Sequence, residues 1–156
     1  MFRVLSDPAI CELENQAPQS QDWLALRYRR LESRSSADGI ETWLNWVILL
    51  PSKELAGYVQ ATILQSGVAY VAYELGSRHW RQGIGSSAVR AMLEELRSEY
   101  GVIAFVAVLK AKNFRPLALL RSLGFDSGDA EQQALYRDDA DELVMVRAAA
   151  QAQSAV

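Results

Sequence analysis

An apolar strand that runs into a glycine-bracketed turn and out again as an amphipathic helix constrains this chain more than any other feature. Val68 to Leu75 is aromatic and β-branched, a composition that fits a pleated sheet. Ile84, Ala88 and Met92, with Val89, Leu93 and Leu96 beside them, set an apolar stripe at helical spacing. Between the two, Gly83 and Gly85 remove side chains where backbone must come close to something. The N–H groups that open such a helix lack partners within it and sit at the positive end of its dipole, so they attract phosphate. The segment is a candidate site for a phosphorylated cofactor. The same glycines also satisfy a tight turn with close helix packing.

Two phosphate loops are set aside by their details. A P-loop needs Gly-Lys-Ser/Thr at the helix start, and Gly85 is followed by Ser86 and Ser87 with no lysine. A dinucleotide fingerprint accepts Ala88 as its third small residue but needs an acidic residue near the end of the next strand. That strand, expected over Val102–Leu109, runs into Lys110 instead.

The window Trp80-Arg81-Gln82-Gly83-Ile84-Gly85 resembles the cofactor loop of the GNAT N-acetyltransferase superfamily, Gln/Arg-x-x-Gly-x-Gly/Ala. Trp80 takes the first position, a departure also found in the ribosomal-protein N-acetyltransferase-like branch. A second landmark lies downstream. Asn113 to Phe125, Asn-Phe-Arg-Pro-Leu-Ala-Leu-Leu-Arg-Ser-Leu-Gly-Phe, is similar to that branch's Asn-x-x-Ser-x-x-Leu-Leu-x-x-Leu-Gly-Phe. The resemblance spans Leu55 to Phe125 and leaves the first forty or so residues unmatched.

Composition bounds the rest. A chain of 156 residues, 50% hydrophobic and 22% charged, suits one folded domain. We read it as residues 1–150, with a frayed tail over 151–156. A net charge of −3 gives nucleic-acid binding no support, although Arg27, Arg29, Arg30 and Arg34 cluster on one expected helix, most simply a solvated face. The single cysteine, Cys11, excludes an internal disulfide and fits a reducing compartment. His79 is the only histidine and has no metal-ligand spacing around it, so it reads as a loop residue and no metal is expected. Trp43–Leu50, the longest apolar run, is too short to span a bilayer, and no signal peptide precedes it. A cytoplasmic protein with no membrane partner follows, as a monomer or a homodimer.

Asp7-Pro8 looks like a helix start leading into Ala9–Asn15, and Asp22–Ser33 reads as a second helix. Strands are expected at Trp43–Leu50, Leu55–Leu64 and Val68–Leu75 as an antiparallel meander. Helix Gly83–Ser98, strand Val102–Leu109 and helix Asn113–Leu123 then complete a β-α-β-α unit, which makes Val68–Leu75 and Val102–Leu109 parallel neighbours or near-neighbours. Phe125 begins another strand, and Glu142–Arg147 is the last. The fold class is α+β: one central, mostly antiparallel sheet with helices on both faces. The resemblance adds that the parallel central pair splays apart.

The resemblance also implies the chemistry, an acetyl transfer from acetyl-CoA to a primary amine on a small molecule or a peptide N-terminus. The pyrophosphate would lie on the N–H groups of Gln82, Gly83, Ile84, Gly85 and Ser86, with Arg81 nearby. The pantetheine arm would pair with backbone near Leu75 and Ser77, and with the side chain of Asn113. Asn113 is also a good N-cap for the helix after it. The amine must lose a proton before attack, and Glu74 is the best-placed base if strand alternation or a bulge turns it to the cleft. The usual donors to the leaving thiolate are absent: Leu120 and Pro116 stand where relatives carry tyrosine and serine. Their absence motivates an alternative, a non-catalytic acyl-CoA-binding module. The acceptor region offers Trp23, Tyr28, Trp43 and Tyr136, which also suit core packing. Asp138, Asp139, Asp141 and Glu142 either attract a cationic amine or form a solvated turn.

Overall fold

A computed structural model describes residues 1–12 and 16–149. Two one-turn helices, α1 (Phe2–Leu5) and α2 (Pro8–Cys11), precede α3 (Gln21–Leu31). A meander follows: β1 (Glu41–Leu49), β2 (Leu55–Leu64) and β3 (Val68–Leu75). Then come α4 (Ile84–Tyr100), β4 (Ala104–Lys110), α5 (Phe114–Ser122), β5 (Asp126–Ser127), α6 (Ala130–Tyr136) and β6 (Glu142–Ala148).

All six strands form one sheet in the order β1-β2-β3-β4-β6-β5. Every pairing is antiparallel except β3 with β4. That parallel pair is in register only at Val68↔Ala104, Ala69↔Phe105 and Tyr70↔Val106, and beyond Tyr70 the two strands part. The fold is the expected α+β sheet with a splayed central pair.

Register sorts the two faces. Leu44, Val59, Ala61, Val71 and Leu75 join Val89, Met92, Leu93 and Leu96 of α4 and Leu120 of α5 in the main core. The alternate residues Asn45, Gln60 and Ala72 point the other way, toward α3 and α6. On that face Tyr136 of α6 packs edge-on against Tyr70, centroids 5.8 Å apart. Phe105 and Phe125 are both 1% exposed. Truncating either to alanine would cost roughly 3–5 kcal/mol.

Some elements differ from expectation, each for a local reason. The helix expected over Ala9–Asn15 is the single turn Pro8–Cys11, and residues 13–15 lie outside the described chain, as do 150–156. Arg34 is not helical: α3 ends at Leu31, and Arg34 takes a left-handed φ of 59°. β4 begins at Ala104 because the N–H groups of Val102 and Ile103 are held by the carbonyls of Leu96 and Gly67. Phe125 does not start a strand. Its N–H closes onto the Leu120 carbonyl and its ring enters the core, leaving only Asp126–Ser127 to pair with β6. Helix α6 went unexpected, although Asp129 and Gln132 form the capping box that opens it.

Candidate active site

A cleft of about 850 Å³ opens where β3 and β4 have separated and where α4 begins. Glu74, Leu75, Ser77, Arg81, Gly83, Gly85, Ser86 and Asn113 all line it, together with Ile10, Tyr73, Trp80, Arg115 and Pro116. The side chains of Gln82 and Ile84 do not. Gln82 folds back so that Nε2 donates to the Arg78 carbonyl at 2.8 Å, and Ile84 packs on the core beside a groove at Trp46. Only their backbone groups can serve a ligand in the cleft.

The two glycines act differently. Gly83 precedes α4 with φ 77°, and an added Cβ would meet nothing within 4 Å, so conformation is what requires glycine there. At Gly85 a Cβ would lie 3.2 Å from Leu119 Cδ1 and 3.6 Å from Tyr73 Cε2, so close packing is the reason. Arg81 is also left-handed, at φ 58°, a strained conformation for a side-chain-bearing residue. No side chain caps α4, so its first N–H groups keep their capacity for an anion.

The far end of β3 is already engaged. The Trp80 indole donates to the Leu75 carbonyl at 2.8 Å. The Ser77 N–H donates to Asp7 Oδ2 at 2.9 Å, while the other Asp7 oxygen caps α2 at Ala9. Hydrogen bonding from Ser77 holds the Asp7 carboxyl below its ordinary range. Across the cleft, the Arg115 guanidinium lies 4.2 Å over the Trp80 ring and donates to the Ala9 carbonyl at 2.8 Å. The α2 segment therefore bridges both lips of the cleft. Sequence reasoning missed Asp7, Trp80 and Arg115 as parts of one arrangement, because their contacts span up to 106 positions.

Asn113 caps α5 through Oδ1, which accepts from the Arg115 N–H at 3.3 Å and leaves Nδ2 to donate elsewhere. Pro116 and Leu120 line a small crevice of about 60 Å³ that continues between the parted strands, with Tyr73 at its mouth. Glu74 is paired in register with Tyr58, on the face opposite α4, and is half-buried at the cleft edge. Burial, and secondarily the Glu74 charge, push the Tyr58 phenol up to about 12. Burial likewise raises the Cys11 thiol, with Glu74 and Asp7 adding to it.

A second cleft of about 800 Å³ lies on the α3 side and shares Ile10 with the first. Trp23, Tyr28 and Trp43 line it, with Arg27, Arg34, Asn45, Tyr58 and Gln60. Tyr136 does not, being packed on Tyr70. The acidic cluster is not a cation site: Lys110 Nζ holds Asp139, Asp141 and Glu142 at 3.1, 3.0 and 3.5 Å, and Glu142 also accepts from the Asp138 and Asp139 N–H groups. His79, expected in a loop, closes the single helical turn Ser77–His79 in the connection between β3 and α4 and is buried there, its Nε2 3.2 Å from the Glu54 carboxylate. Among the described residues no group of three or more His, Cys, Asp or Glu could hold a metal ion, and no helix is long and apolar enough to cross a membrane.

Residues 1–126 match the family model of the acetyltransferase (GNAT) domain. No curated protein matches the sequence significantly. Among solved structures, the ribosomal-protein-alanine N-acetyltransferase from Brucella melitensis shares 22% identity over 94% of this chain and 91% of its own, with a TM-score of 0.67. The ribosomal-protein-S18-alanine N-acetyltransferase from Escherichia coli shares 19% over 99% and 92%, TM-score 0.62. Spermidine N-acetyltransferase from Vibrio cholerae, in complex with CoA and spermine, shares 14% over 94% and 86%, TM-score 0.70. At these identities the likeness is one of fold.

Proposed function

Because the chain belongs to the GNAT acetyltransferase family, we propose that it transfers an acetyl group from acetyl-CoA directly to a primary amine, with residues 1–150 as the transferring domain in the cytoplasm. One observation carries the reading. The parted end of β3 and β4 and the uncapped start of α4 meet at one cleft, and Glu74 is among the residues that line its edge. Acetyl-CoA supplies the activated acyl carbon and a thiolate leaving group. The backbone N–H groups of residues 82–86 hold its pyrophosphate at the positive end of α4, with Arg81 adding charge.

The pantetheine arm lies along Leu75 and Ser77, and Asn113 Nδ2 donates to it. Arm pairing at Ser77 requires its N–H to leave Asp7, so cofactor loading is coupled to the α2 segment. Glu74 accepts the proton of the attacking amine, directly or through one water. Pro116 and Leu120 have no acidic proton to give the leaving thiolate, and that role falls to the hydroxyl of Tyr73, a residue that lines both the cleft and the crevice. The acceptor enters from the α3-side cleft. Relatives of the same fold are named for spermidine and for ribosomal-protein alanine, so small amines and protein N-termini are both compatible.

The rival reading is a non-catalytic acyl-CoA-binding module, favoured by the apolar Pro116 and Leu120 in the crevice. Calorimetry with acetyl-CoA, ATP and NAD tests the cofactor, with binding of acetyl-CoA alone expected. Thiol release across a panel of amines tests the transfer. Tight acetyl-CoA binding with no release above hydrolysis for any amine would decide for the rival.

A further inference from the structure

Three arginines stand at the α3-side cleft, and none of them has a carboxylate partner among the described residues. Arg27 and Arg34 line the cleft itself, while Arg30 lies 5.5 Å over the ring of Trp43, a lining residue. Arg27 is held 5.9 Å over Trp23, and Arg34 Nη2 donates to the Tyr100 hydroxyl at 2.9 Å. Arg34 keeps its left-handed backbone because its N–H is tied to the Leu31 carbonyl and its own carbonyl to the Trp43 N–H. Such strain persists only where surroundings impose it and gathers at functional sites.

The facing acids are few. Glu32 lines the cleft, and Glu41 accepts from the Trp43 indole at 2.9 Å. A protein of net charge −3 thus presents, at this cleft, arginines that have no carboxylate partner among the described residues, two of them over aromatic rings. Its other acidic cluster is closed by Lys110.

The cleft is also polarised along its length. Glu74, Tyr58 and Val47 lie opposite one another across three strands, and Arg34 sits beside Trp43, farther along β1. Strand spacing puts Glu74 and the Arg34 position roughly 20 Å apart, about six extended residues. Resting on the transferase reading above, we infer that the acceptor is the free N-terminus of an extended peptide with acidic side chains within its first residues, and not a polyamine. Its α-amine meets Glu74, and its carboxylates meet Arg27 and, farther out, Arg34. Aromatic walls at Trp23, Trp43 and Tyr28 flank the peptide between these points. A polycation would meet like charge at Arg27 and Arg34 instead.

The experiment compares three hexapeptides with free N-termini against spermidine, with acetyl-CoA saturating and thiol release as the readout. One hexapeptide carries Asp or Glu at positions three to five, one is neutral and one carries lysines. We expect kcat/KM for the acidic peptide to exceed the neutral one by about tenfold at low salt, shrinking as salt screens the charges. In Arg27→Gln and Arg34→Gln that preference collapses through KM with kcat kept, and acetyl-CoA affinity is unchanged. Preference for the neutral or lysine peptide or for spermidine, or an acidic preference that survives both substitutions, overturns the inference while leaving the transferase intact. Absence of turnover with every acceptor overturns the transferase reading instead. The inference is then judged by tryptophan-fluorescence titration of the same peptides, where equal binding of acidic and lysine peptides refutes it.

Discussion

Two clefts of nearly equal volume, about 850 and about 800 Å³, meet at Ile10 and are built from different material. The one at the start of α4 is a product of backbone. A left-handed Gly83, a close-packed Gly85, an uncapped helix and a strand pair that parts after three register positions shape it. The one beneath α3 is a product of side chains, with arginines held against aromatic walls. A backbone site recognises what every cofactor molecule shares and tolerates most changes of side chain. A side-chain site can change its ligand without disturbing the fold. The difference separates a cleft set by chain geometry from one set by the choice of side chains.

Glu74, at the boundary of the two, should give the largest effect. Glu74→Gln keeps the shape but cannot take a proton, so turnover should fall by about a hundredfold or more. Acetyl-CoA affinity should stay and the rising limb of the rate–pH profile should vanish. That limb cannot belong to Tyr58, whose phenol is pushed up to about 12 by burial and the neighbouring carboxylate. Normal turnover in Glu74→Gln would remove the base and leave the two-cleft arrangement standing.

Next in size are the glycines. Gly85→Val drives a branched side chain against Leu119, and Gly83→Val strains the turn. Each should weaken acetyl-CoA binding by about tenfold, equivalent to roughly 1.4 kcal/mol, in calorimetry. Unchanged affinity in a folded Gly85→Val protein would show that the loop is only a turn, and the backbone cleft would lose its purpose.

The smallest effect concerns Asp7. Asp7→Ala frees the Ser77 N–H and should tighten acetyl-CoA binding about threefold, a modest share of one hydrogen bond. It also removes a helix cap worth about 1 kcal/mol of stability, visible as a lowered Tm. The Asp7 carboxyl is depressed chiefly by hydrogen bonding from Ser77. Its stabilising contact is therefore complete above the ordinary value of 3.8 and is lost as pH falls through the lowered value. Wild type and Asp7→Ala should accordingly differ by a constant factor from pH 5 upward, to be checked by titrations across about that range. Weaker binding in the variant would break the proposed coupling between α2 and the cleft.

Much of the fold was legible because its signals are local. Val68–Leu75 alternates and binds its neighbours as read, and the stripe from Ile84 to Leu96 buries Val89, Met92, Leu93 and Leu96. Asp129 and Gln132 announced α6 just as plainly, but a seven-residue helix offers too little periodicity to be noticed. Phe125 misled for the opposite reason: an aromatic residue after Gly124 fits a strand by composition, yet its N–H belongs to the end of α5.

The amino-acid sequence by itself determined the strand-turn-helix unit and the glycine loop, because each is written in neighbouring residues. Tertiary structure alone decided that Glu74 shares a face with Tyr58, that Asp7 holds Ser77 and that Arg115 covers Trp80. It also set Arg27 and Arg34, read as part of a solvated face, into the lining of a cleft. These are contacts between segments distant along the chain. They exist only after register and packing have chosen one arrangement, and no local pattern of residues encodes that choice.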